Sequence, residues 1–91
     1  MSRHDRIAAA LEATLAPVRL EVIDESSHHA GHAGARPEGE THFRVRVEAA
    51  AFAGRTRLER HRMVNAALAA ELDAGLHALA IEARAPGEPG R

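Results

Sequence analysis

The sequence predicts an α+β domain of order α-β-β-α-β, in which a three-stranded mixed sheet carries both helices on one face. Two segments place apolar residues at helical spacing: Ile7, Leu11 and Leu15 in the first, Leu58, Val64, Leu68 and Leu72 in the second. Three segments alternate apolar and polar residues with the period of a strand: 18–24, 41–49 and 76–84. Packing both helices on one side of the sheet buries all three apolar strand faces and both helix stripes at once.

The first helix is expected over Arg3–Leu15. Ser2 can cap it, and Asp5 places an acid in the first turn, where the helix dipole favours it. Pro17 ends it. In Val18–Asp24, Val18, Leu20 and Val22 share one face, and Arg19, Glu21 and Ile23 the other. In Thr41–Ala49, Phe43, Val45 and Val47 point inward, and His42, Arg44, Arg46 and Glu48 outward. This second strand pairs most simply antiparallel to the first. Ala50–Gly54 is a connector in which Phe52 anchors the turn.

The second helix is expected as one piece over Arg55–Leu72, with Leu58, His61, Val64, Asn65, Leu68 and Leu72 on one face. Asp73–Gly75 stops it. Leu76–Arg84 is the third strand, parallel to the second, with His77, Leu79, Ile81 and Ala83 in phase. Residues 1–85 form one domain, and 86–91, rich in proline and glycine, a flexible tail.

The 91 residues contain no cysteine, so disulfides, thiol catalysis and self-sufficient iron–sulfur ligation are excluded. Tryptophan and tyrosine are absent too, which removes the usual stacking platform for single-stranded nucleic acid. The formal net charge of −1 gives no global field towards DNA or membrane. No apolar run is long enough for a membrane span, and the N-terminus does not read as a signal peptide, so the expected location is the cytoplasm.

Two features carry chemistry. Ser26–Glu40, SSHHAGHAGARPEGE, holds three of the seven histidines, His28, His29 and His32, and no large apolar residue. It reads as a long surface loop, either a polar connection or a metal-binding one. The second feature is the cluster Arg55, Arg57, Arg60 and Arg62. It is a solvated helix face or a site for phosphate or carboxylate. Taken singly, His77 reads as a partly buried structural histidine on the apolar strand face. His61 reads as buried, hydrogen-bonded and fixing its helix to the sheet. His4 and His42 carry no assigned role. No catalytic triad spacing, phosphate-binding glycine motif or acid pair with an evident pocket is present, so the chain is not read as an enzyme. Glu38 and Glu40 could support a zinc site, but a polar loop on so small a domain does not make a closed pocket.

Three stretches occur together in this order: GETHFRVRV after the histidine loop, FAGRTRLERHRMVNAALAAEL, and GLHALAIEARAP. They resemble the BolA family over nearly the whole chain, from Ile7 to Pro86. The resemblance implies a fold related to the class II KH domain. It also implies pairing with a monothiol glutaredoxin and joint ligation of a [2Fe-2S] cluster, in iron–sulfur trafficking or iron sensing. The partner's cysteine and a glutathione thiolate would hold one side of that cluster. The ligands from this chain would be His77, at the start of the last strand, and a loop histidine. Counting from Glu25-Ser26 places His29 at the family position, with His28 and His32 open as alternatives.

Two imidazoles and two thiolates make a Rieske-like ligand count, and a cysteine-free chain needs a thiol-bearing partner to complete it. Without the partner, a monomer or weak dimer is expected. The resemblance also implies an alternative, a DNA-binding transcriptional regulator of stress response and cell morphology. KH domains hold phosphate with a GxxG loop. The matching stretch here, Gly54-Arg55-Thr56-Arg57, has one glycine, and Arg55, Arg57, Arg60 and Arg62 would supply the charge.

Overall fold

The computed structural model describes residues 1–25 and 41–89. Its elements run α1 (Arg3–Leu15), β1 (Arg19–Asp24), β2 (His42–Glu48), a 3-10 turn (Ala50–Phe52), α2 (Arg57–Ala67), α3 (Ala69–Asp73) and β3 (Ala78–Arg84). The strands lie in the order β1-β2-β3, with β1 antiparallel and β3 parallel to β2. This is the predicted α+β architecture with a mixed sheet.

α1 forms as the sequence predicts. The Ser2 hydroxyl accepts a hydrogen bond from the Asp5 amide at 3.2 Å, satisfying one of the donors that a helix N-terminus leaves over. Ile7, Leu11 and Leu15 are buried. The helix stops at Ala16, which adopts a left-handed conformation (φ 45°, ψ 56°) and donates its amide to the Glu12 carbonyl at 3.1 Å. Pro17 cannot continue the helix.

The register sets the core. Val22 lies opposite Val45, and Val45 opposite Ile81, so the apolar faces of the three strands coincide. Phe43, Val45 and Val47 form one buried cluster with Ile7, Leu11 and Leu15 of α1, Val64 of α2, Leu68 and Phe52. Complete burial of such a side chain contributes about 1.5–3 kcal/mol, so this cluster dominates the stability of a domain with few large apolar residues. Val18 departs from the expectation. It lies before β1 and is exposed, although its amide still donates to Glu48 at 2.8 Å.

The single helix expected over Arg55–Leu72 is two. Thr56 is the N-cap of α2, and its hydroxyl accepts from the Glu59 amide at 3.1 Å. The Glu59 carboxylate accepts from the Thr56 amide at 2.8 Å, completing a capping box that leaves Arg55 outside the helix. At Leu68 the backbone leaves helical geometry (φ −105°, ψ 15°), and α3 starts from there. The buried stripe is therefore rotated from the predicted one. Val64, Leu68 and Glu71 are buried, whereas Leu58 and Asn65 are exposed.

The break at Leu68 aims Glu71 at α1. Its Oε1 accepts from Arg3 Nε at 3.0 Å and its Oε2 from Arg6 Nε at 2.9 Å. Arg3 also donates to the Ala74 carbonyl at 2.9 Å. Arg6 foremost, with Arg3 behind it, holds the Glu71 carboxyl below the usual carboxylate range against the opposing effect of burial.

Candidate functional site

The strand pairing brings the chemistry to one end of the sheet. Glu25, just past β1, donates its amide to the His42 carbonyl at 2.7 Å. The Thr41 carbonyl accepts from the amides of both His77 and Ala78, at 2.7 and 3.0 Å. Glu25 and Thr41 flank the segment 26–40, so that segment leaves and re-enters the sheet at the end where His77 lies. His28, His29 and His32 themselves fall outside the described residues.

His77 does not sit where its alternation with Leu79 and Ile81 predicted. β3 begins at Ala78, and Leu76 is buried ahead of it while His77 is exposed. The turn out of α3 passes through Gly75 at φ 120°, which puts Leu76 into the core and leaves His77 facing solvent. The two amide bonds to Thr41 fix the backbone beneath the exposed imidazole, a suitable base for a metal ligand.

His42, the first residue of β2, is the neighbour that sequence reasoning passed over. It was expected on the outer strand face. It does share that alternation with Arg44 and Arg46, yet it is buried, at 8% exposure. Its Nδ1 lies 2.9 Å from the Thr41 hydroxyl. Its ring centre is 5.3 Å from that of His77, with the planes tilted by 53°. The signal was latent in parallel pairing, which sets residue 42 opposite residue 78.

Beyond His42 the outer face of the sheet is ionic. Arg44 bridges Glu25 and Glu82, both at 2.9 Å, and Arg46 bridges Glu21 at 3.1 Å and Glu82 at 3.2 Å. Arg84 pairs with Glu48 at 3.0 Å. These guanidiniums are committed within the fold.

The four clustered arginines divide. Arg60 is largely buried, its side chain 13% exposed, and makes a bidentate pair with Glu88 with both contacts at 2.7 Å. The Ala85 amide donates to the same carboxylate at 2.9 Å. Arg60 and then the Ala85 amide lower the Glu88 carboxyl to about 2. Residues 86–89, read from the sequence as tail, thus include an anchored carboxylate. Arg55, Arg57 and Arg62 are exposed. Arg55 and Arg57 rim an open groove between α2 and β3 whose floor includes Leu79 and Ile81. His61 lines the same groove. It is half-buried and makes no hydrogen bond among the described residues, not the buried, hydrogen-bonded anchor expected. Val64 and Leu68, and not His61, take the core positions of this stretch.

Among the described residues no group of three or more histidines or carboxylates could hold a metal ion, and no helix is long and apolar enough to cross a membrane.

Residues 11–88 match the family described as BolA-like protein. The chain belongs to the BolA-like family. It is 49% identical over 82 residues to BolA-like protein 1 of Homo sapiens, covering 90% of this chain and 57% of that one. It is 48% identical over 91 residues to the chloroplastic/mitochondrial SufE-like protein 1 of Arabidopsis thaliana, covering 96% of this chain and 24% of that one. Both relatives are thus longer than the part this chain matches. The solved BolA domain of SufE1 from Arabidopsis thaliana superposes with a TM-score of 0.87 at 47% identity, over 98% of each chain. Similarity at this level makes the α-β-β-α-β arrangement a property of the family.

Proposed function

We propose that this BolA-like protein is a non-enzymatic adaptor that binds a monothiol glutaredoxin and co-ligates a [2Fe-2S] cluster. His77 and the loop histidine His29 are the ligands from this chain, and His28 and His32 are the alternatives to His29. The observation that carries the reading is the exposed His77, fixed by the Thr41 carbonyl at the end of the sheet where the segment 26–40 departs and returns. The donor chemistry is compatible with the cluster. Neutral imidazole is an established [2Fe-2S] ligand, and a chain without cysteine leaves the thiolate positions to the partner and glutathione. When bound, the cluster supplies one-electron and iron-transfer chemistry. The residues of this chain hold and orient it. A cytoplasmic location belongs to the same proposal.

The DNA-binding alternative draws on Arg55, Arg57, Arg60 and Arg62. It is weakened by the Arg60–Glu88 pair and by the ion pairs that occupy Arg44, Arg46 and Arg84. Arg55 and Arg57, at the rim of a groove whose floor includes Leu79 and Ile81, fit a protein partner better than a phosphate backbone.

The test mixes this protein with a monothiol glutaredoxin, glutathione, iron and sulfide under anaerobic conditions. A coloured heterodimer is expected, with visible circular dichroism distinct from that of the glutaredoxin homodimer. His77→Ala should abolish the distinct spectrum, and His29→Ala should alter it. An unchanged spectrum in His77→Ala refutes the ligand assignment.

A further inference from the structure

Among the described strands β3 pairs with β2 alone, so one edge of Ala78–Arg84 is open. The register says which groups face outward. The Ala78 amide donates to the Thr41 carbonyl at 3.0 Å, and the Arg84 carbonyl accepts from the Ala49 amide at 3.0 Å. Ala78, Ala80, Glu82 and Arg84 thus turn their backbone groups towards β2, and Leu79, Ile81 and Ala83 turn theirs away. Among the described residues the Ala83 carbonyl accepts from Arg60 Nη1 at 3.4 Å, and the outward N–H and C=O groups of Leu79 and Ile81 have no partner.

The open groove between α2 and β3 runs along this edge. Side chains of residues 79–83 alternate between the two faces of the sheet, yet all of these residues line the groove, so its wall is the strand edge itself. Arg55, Arg57 and His61 stand on the helix side. Arg55 and Arg57 are exposed and make no ion pair among the described residues, whereas Arg44 and Arg60 are committed to carboxylates of the fold. An unpaired ladder edge beside two uncommitted guanidiniums suits an extended chain that carries carboxylates. It does not suit a second copy of this chain. Two-fold antiparallel pairing of β3 with itself would put both α2 helices on the same face and set the Arg55 and Arg57 charges of the two copies against each other.

We propose that the free edge of β3 docks an acidic, extended segment of another protein, which joins the sheet as a fourth strand. The backbone of that segment pairs with Leu79 and Ile81, and its carboxylates reach Arg55 and Arg57. The site needs neither cluster nor metal, so it stands or falls separately from the cluster-sharing reading.

The experiment follows amide hydrogen exchange by NMR in the full chain, without metal or glutaredoxin, and adds a synthetic peptide of alternating glutamate and valine. In the free chain the Leu79 and Ile81 amides should exchange fast and those of Ala80 and Glu82 slowly. The peptide at saturation should slow exchange at Leu79 and Ile81 by about tenfold or more. The same peptide with every amide N-methylated keeps the charges but loses the donors, and should bind about tenfold or more weaker. The double variant Arg55→Gln, Arg57→Gln should bind the unmodified peptide about fivefold weaker, as expected for two exposed ion pairs. A single-stranded oligodeoxynucleotide should leave the Leu79 and Ile81 amides unprotected. The proposal is overturned if those amides are already protected in the free chain, or become so on raising the protein concentration alone. It is overturned too if the N-methylated peptide binds as tightly, or if the oligodeoxynucleotide protects the edge and the peptide does not.

Discussion

Replacing Glu71 by glutamine tests how the chain fastens its N-terminus. The Glu71 carboxylate accepts from Arg3 Nε at 3.0 Å and from Arg6 Nε at 2.9 Å, and the Arg3 and Glu71 side chains are only 12% and 11% exposed. Glutamine preserves the volume but removes the charge, and turns one acceptor into a donor facing a guanidinium. A hydrogen bond to a charged group contributes about 1.5–3 kcal/mol when shielded. The Arg6 contact, with that guanidinium 42% exposed, is discounted to about 0–1 kcal/mol for solvent screening. The expected destabilisation is about 2–3 kcal/mol, or roughly an 8–24 °C fall in Tm for a domain of this size. Thermal unfolding followed by far-ultraviolet circular dichroism at pH 7 measures it.

The pH dependence provides a second check on the same variant. The Glu71 carboxyl is held below its ordinary value in the folded chain. Its contribution is therefore complete above the unfolded-state pKa and is lost as pH falls through the lower, folded-state one. The gap between wild type and Glu71→Gln should be full at neutrality and should close in acid, below about pH 4. Equal melting temperatures at pH 7, or a gap that persists unchanged into strong acid, would refute the reasoning.

Two other substitutions probe the remaining helix and the chain end. Thr56→Ala removes the hydroxyl of the capping box and should destabilise the fold by about 1 kcal/mol, read from urea midpoints, with Thr56→Ser restoring most of it. Glu88→Gln should release Arg60 and speed hydrogen exchange at the Ala85 amide, which bonds to that carboxylate. Because the Glu88 carboxyl is lowered to about 2, the wild-type clasp should survive acidification until pH approaches that value and open below it. Opening already near pH 4 would contradict the bidentate geometry.

Much of the fold was legible because its determinants are local. The stripe Ile7–Leu11–Leu15 and the cap at Ser2 lie within a few residues of each other, and helix periodicity exposes them directly. The alternation of Phe43, Val45 and Val47 did the same for β2. Errors arose where a boundary moved by one or two residues. Starting β3 at Ala78 sends Leu76 inward and His77 outward, because a single residue changes the face a strand neighbour presents. The capping box at Thr56 was readable as Thr-x-x-Glu and would have kept Arg55 out of the helix. The exposure of Leu58 follows from packing through Val64 and Leu68, which no local pattern specifies.

The amino-acid order by itself determined the order of helical and strand segments and the family, though not the break between α2 and α3, since periodicity, turn residues and motif spacing are properties of neighbouring positions. It also determined that any cluster chemistry must borrow thiolates, since the chain has none. Tertiary structure decided which side chains meet. Glu71 reaches Arg3 and Arg6 across 68 and 65 residues of sequence, and Glu88 takes Arg60 out of the basic cluster. Parallel pairing of β2 with β3 set His42 beside His77. Such pairings depend on register and on the angle at which a helix leaves its cap. Both are fixed only when the whole core packs together.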